Sequence, residues 1–255
     1  MNKSEIFAHY SAIIDDLLDR SMFFDTYFQC PFFLESNIYG DKHDELPSNI
    51  SICDGATRSC IVDNDYDYVV KFDINEDNYG SACEREAQIY RNAQACSLER
   101  YFNEITYIGC YTKTINFYDY YDIEQFCEFY GYDAEEFDRT IMEHEDEMTI
   151  HPIVISIPLY ACRRADEYDC GPIDDGLVAQ AQKIVSPLRN RNVCVATAFI
   201  RNYGMDEYEA LSQFALENEI NDLHIGNIGE VDGSLILTDY SGYHDGEIDE
   251  YGKWD

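Results

Sequence analysis

Near the end of the chain a short apolar run, Leu235-Ile236-Leu237, is bracketed by two segments crowded with turn-forming residues. These are Asp222-Leu223-His224-Ile225-Gly226-Asn227 before it and Thr238-Asp239-Tyr240-Ser241-Gly242 after it. Asp, Asn and Gly satisfy or tolerate turn backbone while Leu and Ile need burial, so the stretch reads as loop, strand, loop. The constraint is positional: two carboxylates and an amide must share one small framework. Phosphoryl transfer needs such a set, with one carboxylate (Asp222) to accept the proton of an attacking hydroxyl, and an amide (Asn227) and a second carboxylate (Asp239) to hold Mg²⁺. Turn formation ahead of a hairpin is the competing use of the same residues.

Upstream, Tyr66 to Ile74 carries the β-branched and aromatic pattern of a strand, Tyr68-Val69-Val70-Lys71-Phe72. A helix is expected over Ala82 to Gln94, where Cys83, Ala87, Tyr90 and Gln94 recur at helical spacing and Glu86 lies one turn before Tyr90. Ile50 to Val62 reads as a hairpin with its turn at Gly55. Lys71 has the alternative of a solvated strand end, and Glu86 that of an ordinary surface acid.

Loop, lysine strand, glutamate helix, Asp/Asn loop and Asp loop follow one another over residues 50 to 242. In this order the set resembles the protein-kinase-like superfamily, with wording closer to the aminoglycoside and choline phosphotransferase branch, Asp-Leu-His-x-x-Asn, than to eukaryotic protein kinases. The whole set is similar to small kinase-like proteins of tailed bacteriophages. Ile220 stands where eukaryotic kinases carry the His of His-Arg-Asp, and the hairpin has one glycine where a kinase loop has three.

The resemblance implies an α+β, two-lobed protein-kinase-like fold with an antiparallel N-lobe sheet, a reduced helical C-lobe and an acidic insertion. Residues 1–158 would hold an N-terminal helix and the small lobe, with the insertion at about 117–149, and residues 159–255 a truncated large lobe. It implies ATP and Mg²⁺ as cofactors, Asp222, Lys71 and Glu86 as catalytic residues with Glu84 as second choice for the partner of Lys71, and Asn227 and Asp239 as metal ligands. Gly55, Lys71, Tyr160 and Cys162 would line the nucleotide, the last two where the strand Ile153 to Cys162 runs into the hinge. His224 would shape the loop. Few residues follow Asp239, so the helices on which protein kinases hold a peptide are not expected.

Along the rest of the chain, residues 4 to 22 place Ile6, Tyr10, Ile13, Ile14, Leu17 and Leu18 on one helical face. Tyr101 to Thr114 reads as a strand pair. Helices are expected at about Asp174 to Pro187 and from Asp206 to Glu219, the latter with a capping box, Asp206 with Glu209, and a stripe of Leu211, Phe214 and Ala215.

With 51 acidic and 17 basic residues, the formal net charge of −34 argues against direct binding to nucleic acid or anionic membrane and favours a basic partner, a host protein if the chain is phage-encoded. Between Phe117 and Thr149, 12 acids stand against Arg139 alone. Such a run serves as a solvated face or as a copy of the phosphate pattern of DNA. The 10 cysteines form no C-x-x-C pair and no apolar signal segment follows Met1, so a reduced, cytoplasmic chain with buried thiols is expected. The function expected is phosphate transfer from ATP to a protein acceptor; the alternative is a non-catalytic acidic inhibitor on a kinase-like scaffold.

Overall fold

The computed structural model describes residues 2–20, 47–54, 58–73, 80–115, 153–190, 193–221 and 223–241. The acidic insertion at 117–149, Gly55 and Asp222 lie outside them. The elements are α1 (Lys3–Arg20), β1 (Ile50–Asp54), β2 (Arg58–Asp63), β3 (Tyr68–Asp73), α2 (Ala82–Ala95), β4 (Ile105–Ile115), β5 (Ile153–Arg163), β6 (Asp166–Glu167), α3 (Asp175–Ala181), α4 (Pro187–Asn190), α5 (Val193–Tyr203), α6 (Met205–Glu217), β7 (Ile228–Val231) and β8 (Ser234–Leu237). The class is α+β, with an antiparallel five-stranded sheet in the order β1-β2-β3-β5-β4 and a three-stranded sheet in the order β6-β7-β8. Among the described residues, no helix is long and apolar enough to cross a membrane. The chain divides into two compact units, one made of 1–65, 70–75 and 108–160 and the other of 66–69, 76–107 and 161–255.

In the first unit, α1 buries Ile6, Tyr10 and Ile14, spaced four apart so that they stack on one face. Phe7 of the same helix packs on Gly109 of β4 so closely that a Cβ there would lie 2.7 Å from its ring. This explains why residues 105–115 form one strand where a strand pair is expected: the glycine admits a ring and makes no turn. Asp15 accepts a hydrogen bond from the Tyr111 hydroxyl at 2.7 Å and pairs with Lys113 Nζ at 3.1 Å, fixing the helix along β4.

The β1–β2 hairpin forms with Ile50 opposite Asp63 and Asp54 opposite Ser59. Period-2 alternation turns Ser59, Ile61 and Asp63 inward. A carboxylate on a buried face needs donors. Asp63 has Asn49 Nδ2, the Asp65 backbone N–H and His9 Nε2, each at 2.9 Å. Burial pushes its carboxyl up, but those hydrogen bonds and the nearby imidazole outweigh it and hold the group below its ordinary value. A depressed folded-state pKa contributes stability above the unfolded value of about 3.9 and loses it as pH falls through the folded value. Asp63→Asn is therefore expected to destabilise by ~1–3 kcal/mol at pH 7. The gap from wild type should close below pH ~4, as read from urea midpoints of both proteins across that range.

In the second unit, Ser81 caps α2, its Oγ accepting from Glu84 N–H at 2.9 Å. The helix buries Cys83, Glu86, Ala87, Ile89 and Ala93. The expected stripe is thus rotated, with Tyr90 half-buried and Gln94 exposed. The aromatic core follows: Tyr101 stacks edge-on against Tyr203 with centroids 4.8 Å apart, and Phe102 against Tyr240 at 4.9 Å and Phe214 at 5.4 Å. Burial, and then the hydrogen bond it gives Glu207, push the Tyr101 phenol up to about 12.

The helix expected over Asp174 to Pro187 ends at Ala181 and a separate short helix begins at Pro187. Proline suits the first helical position and Ser186 Oγ accepts the Leu188 N–H at 3.2 Å, so a new helix starts at Pro187. The capping box expected at Asp206 is absent. Gly204, at φ 89°, is the N-cap, no side chain caps it, and Asp206 lies within the first turn. The stripe of Leu211, Phe214 and Ala215 is buried as expected.

Candidate functional site

The site is built on the hairpin β7–β8, whose register pairs Ile228 with Leu237 and Val231 with Ser234. Leu235, Ile236 and Leu237 are buried, so the apolar run is a core strand. Gly229 cannot carry a side chain, since a Cβ there would lie 2.8 Å from Ala165 Cβ and 3.0 Å from the Asp166 carbonyl oxygen. The close approach lets β6 pair with β7, Glu167 opposite Gly229. One bond carries the ladder past its end: Thr238 N–H donates to the Asn227 carbonyl at 2.9 Å. The backbone of Asn227 is thereby tied to the residue that precedes Asp239.

Asn227 closes one turn of 3₁₀ helix, Ile225–Asn227, and is buried. His224 caps that turn, its Nδ1 accepting the Gly226 N–H at 3.0 Å. This bond fixes Nδ1 as the acceptor nitrogen.

Asp239 and Tyr240 follow β8 after Thr238. Glu86, fully buried on α2, accepts the Tyr240 backbone N–H at 3.3 Å through Oε1. Tyr240 in turn donates its hydroxyl to the Asn103 carbonyl at 2.6 Å. Glu86 is therefore not a surface acid, and the second choice, Glu84, is exposed and pairs with Arg91 at 2.9 Å.

Beside Glu86, Arg85 reaches two segments at once. Its Nε donates to the Ser241 carbonyl at 2.5 Å, and its Nη2 to the Asn218 carbonyl at 3.4 Å and to Glu219 at 3.5 Å. Asn92, two turns along, bonds the Asn218 side chain at 2.8 Å. So α2 grips both the segment carrying Asp239 and the end of α6, three residues before Asp222. Sequence reasoning missed Arg85, because its partners are mostly backbone carbonyls that carry no sequence signal.

The end of α6 explains Ile220. Glu219 takes a left-handed conformation, φ 55°, and donates its N–H to Leu216, while Ile220 donates to the Ala215 carbonyl at 2.8 Å. These two bonds form a Schellman motif, and the residue after the left-handed position is characteristically apolar and packed. Ile220 is fully buried. At Ile220 the chain places the hydrophobic stop of a helix. Asp222 itself lies outside the described residues; its neighbour Leu223 is buried.

Of the other residues singled out from sequence, Lys71 lies on β3 in the first unit, half-buried between Val70 and Phe72. Tyr160 and Cys162 are both buried on β5, which continues as strand through Arg163. Tyr160 belongs to the first unit and Cys162 to the second. Among the described residues, no group of three or more His, Cys, Asp or Glu side chains is placed to hold a metal ion. The thiols are not uniformly buried: Cys83, Cys162 and Cys170 are, whereas Cys53, Cys96 and Cys110 are exposed.

No protein-family model, characterised protein or solved structure matches the chain.

Removing Arg85 tests the grip of α2. Arg85→Ala is expected to cost ~1–3 kcal/mol, since hydrogen bonds from a charged group to the Ser241 and Asn218 carbonyls are lost. Arg91→Ala, on the exposed face of the same helix, should stay within ~0.5 kcal/mol. Guanidinium chloride midpoints of the two variants compare them directly.

Proposed function

We propose that the protein is a kinase-like phosphotransferase that binds ATP with Mg²⁺ and transfers phosphate to a protein acceptor. The observation that carries the reading is the tie between Glu86, the Asp239–Tyr240 segment and Asn227 within one unit, through Tyr240 N–H to Glu86 and Thr238 N–H to the Asn227 carbonyl. Turn formation alone gives no reason for a buried glutamate on a helix to bind the backbone next to Asp239. In this reading Asn227 and Asp239 supply hard oxygen donors suited to Mg²⁺. Asp222 accepts the proton of the acceptor hydroxyl.

A second reading rests on the charge of −34: a non-catalytic inhibitor whose acids occupy a basic groove of a host nucleic-acid-binding or defence protein. Its complex would weaken with salt and survive Asp239→Ala.

Nucleotide binding separates the two. ATP with Mg²⁺, a hundredfold above its Kd, is expected to stabilise the wild-type protein by about 2.7 kcal/mol. The effect should be lost without Mg²⁺ and lost in Asp239→Ala. Transfer of labelled phosphate to a basic host protein should disappear in Asp222→Ala. No nucleotide-dependent stabilisation and no labelling would sink the phosphotransferase reading.

A further inference from the structure

Two cysteines that the functional reading does not use, Cys53 and Cys60, are directly opposed across the β1–β2 hairpin. Opposed residues project their side chains from the same face of an antiparallel pair. Cys53 is exposed, Cys60 is half-exposed, and both are thiols. The ladder's phase follows from Asn64 N–H donating to the Asn49 carbonyl at 2.7 Å, one step beyond the Ile50–Asp63 pair. Hydrogen-bonded and non-bonded pairs alternate, which makes Cys53–Cys60 a hydrogen-bonded pair with Cα atoms ~5.5 Å apart. A disulfide spans Cα separations of ~4.4–6.8 Å, so the backbone already has the right spacing. The Cβ atoms of such a pair stand near the wide end of ~4.5–5.5 Å and must draw closer to be bridged. A bond made under that constraint is readily reduced again.

We propose that Cys53 and Cys60 form a reversible dithiol–disulfide modification site that exchanges with small-molecule disulfides of the glutathione class. One thiolate attacks a sulfur of the small disulfide, forming a mixed disulfide and releasing one thiol. The opposed thiolate then attacks the protein sulfur of that mixed disulfide, closing the Cys53–Cys60 bond and releasing the second thiol. The protein loses two electrons and two protons; the small disulfide takes up both as two thiols. The cross-strand register favours this second step, because the resolving thiolate lies beside the mixed disulfide. Nothing in the site depends on nucleotide binding, so its failure would leave the phosphotransferase reading untouched.

The test uses the full chain equilibrated with glutathione at graded ratios of oxidised to reduced form, quenched in acid, alkylated and digested with trypsin. Cleavage after Arg58 separates the two cysteines into peptides that only the bridge holds together. The expected result is a linked pair lighter by two hydrogens, growing with the oxidised fraction, lost in excess reduced glutathione, and accompanied by loss of both alkylation sites. In Cys53→Ser, Cys60 should instead accumulate as a mixed disulfide with glutathione. Separate mixed disulfides on Cys53 and Cys60 of the wild type without a linked pair would overturn the proposal. So would unreacted Cys53 and Cys60 under conditions that modify the exposed Cys96 and Cys110.

Discussion

The second unit depends on what two adjacent residues of α2 do with the backbone of a loop. Glu86 is buried and takes the N–H of Tyr240; Arg85 takes the carbonyl of Ser241 and, on its other side, the carbonyl that ends α6. Loop backbone has no ladder to satisfy its polar groups, and an unmet group in a buried place costs as much as a lost hydrogen bond. Side chains from a rigid helix meet that need here. They also tie the segment after β8 to the helix at Tyr240 and Ser241. Positioning of this kind is what phosphoryl transfer asks of a protein, since its catalysis is almost wholly placement and charge.

The surrounding packing serves the same segment. Tyr240 is held by its backbone at Glu86 and by its hydroxyl at Asn103, and its ring lies edge-on to Phe102. Asn103 in turn donates its backbone N–H to Leu237 and its side-chain amide to the Arg163 carbonyl at 2.7 Å. The stretch after α2 therefore joins β8, the loop after it and the end of β5 within one unit. On the far side of the hairpin, the Gly229 contact draws β6 onto β7.

The β1–β2 hairpin and β3 were legible in the sequence as β-branched and aromatic runs broken at Gly55, and β8 because Leu235 to Leu237 had nowhere to go but a core. In place of the strand pair expected over Tyr101 to Thr114, a single strand, β4, runs through Gly109. Helix α5 was not legible. Val195 to Ile200 are buried without a break, and the segment's β-branched residues favour strand in isolation. The N-terminus of α6 was misplaced because Asp206 and Glu209 mimic a capping box, while the chain enters through a left-handed glycine instead. At the site, the sequence showed Glu86 as a helical residue in the right order but not its burial, which comes from the rotated face of α2. It held no signal for Arg85, whose partners are mostly main chain, and the Schellman stop at Ile220 became visible only with the backbone.

The central claim is that the segment fixed by α2 holds a metal beside a nucleotide. Mn²⁺ in place of Mg²⁺, with a non-hydrolysable ATP analogue, tests it most directly through paramagnetic broadening of backbone amide resonances. The account predicts broadening centred on Asn227 and Asp239 that requires the analogue and vanishes when Mg²⁺ is added in excess. Broadening spread over exposed carboxylates, and the same with or without the analogue, would contradict it.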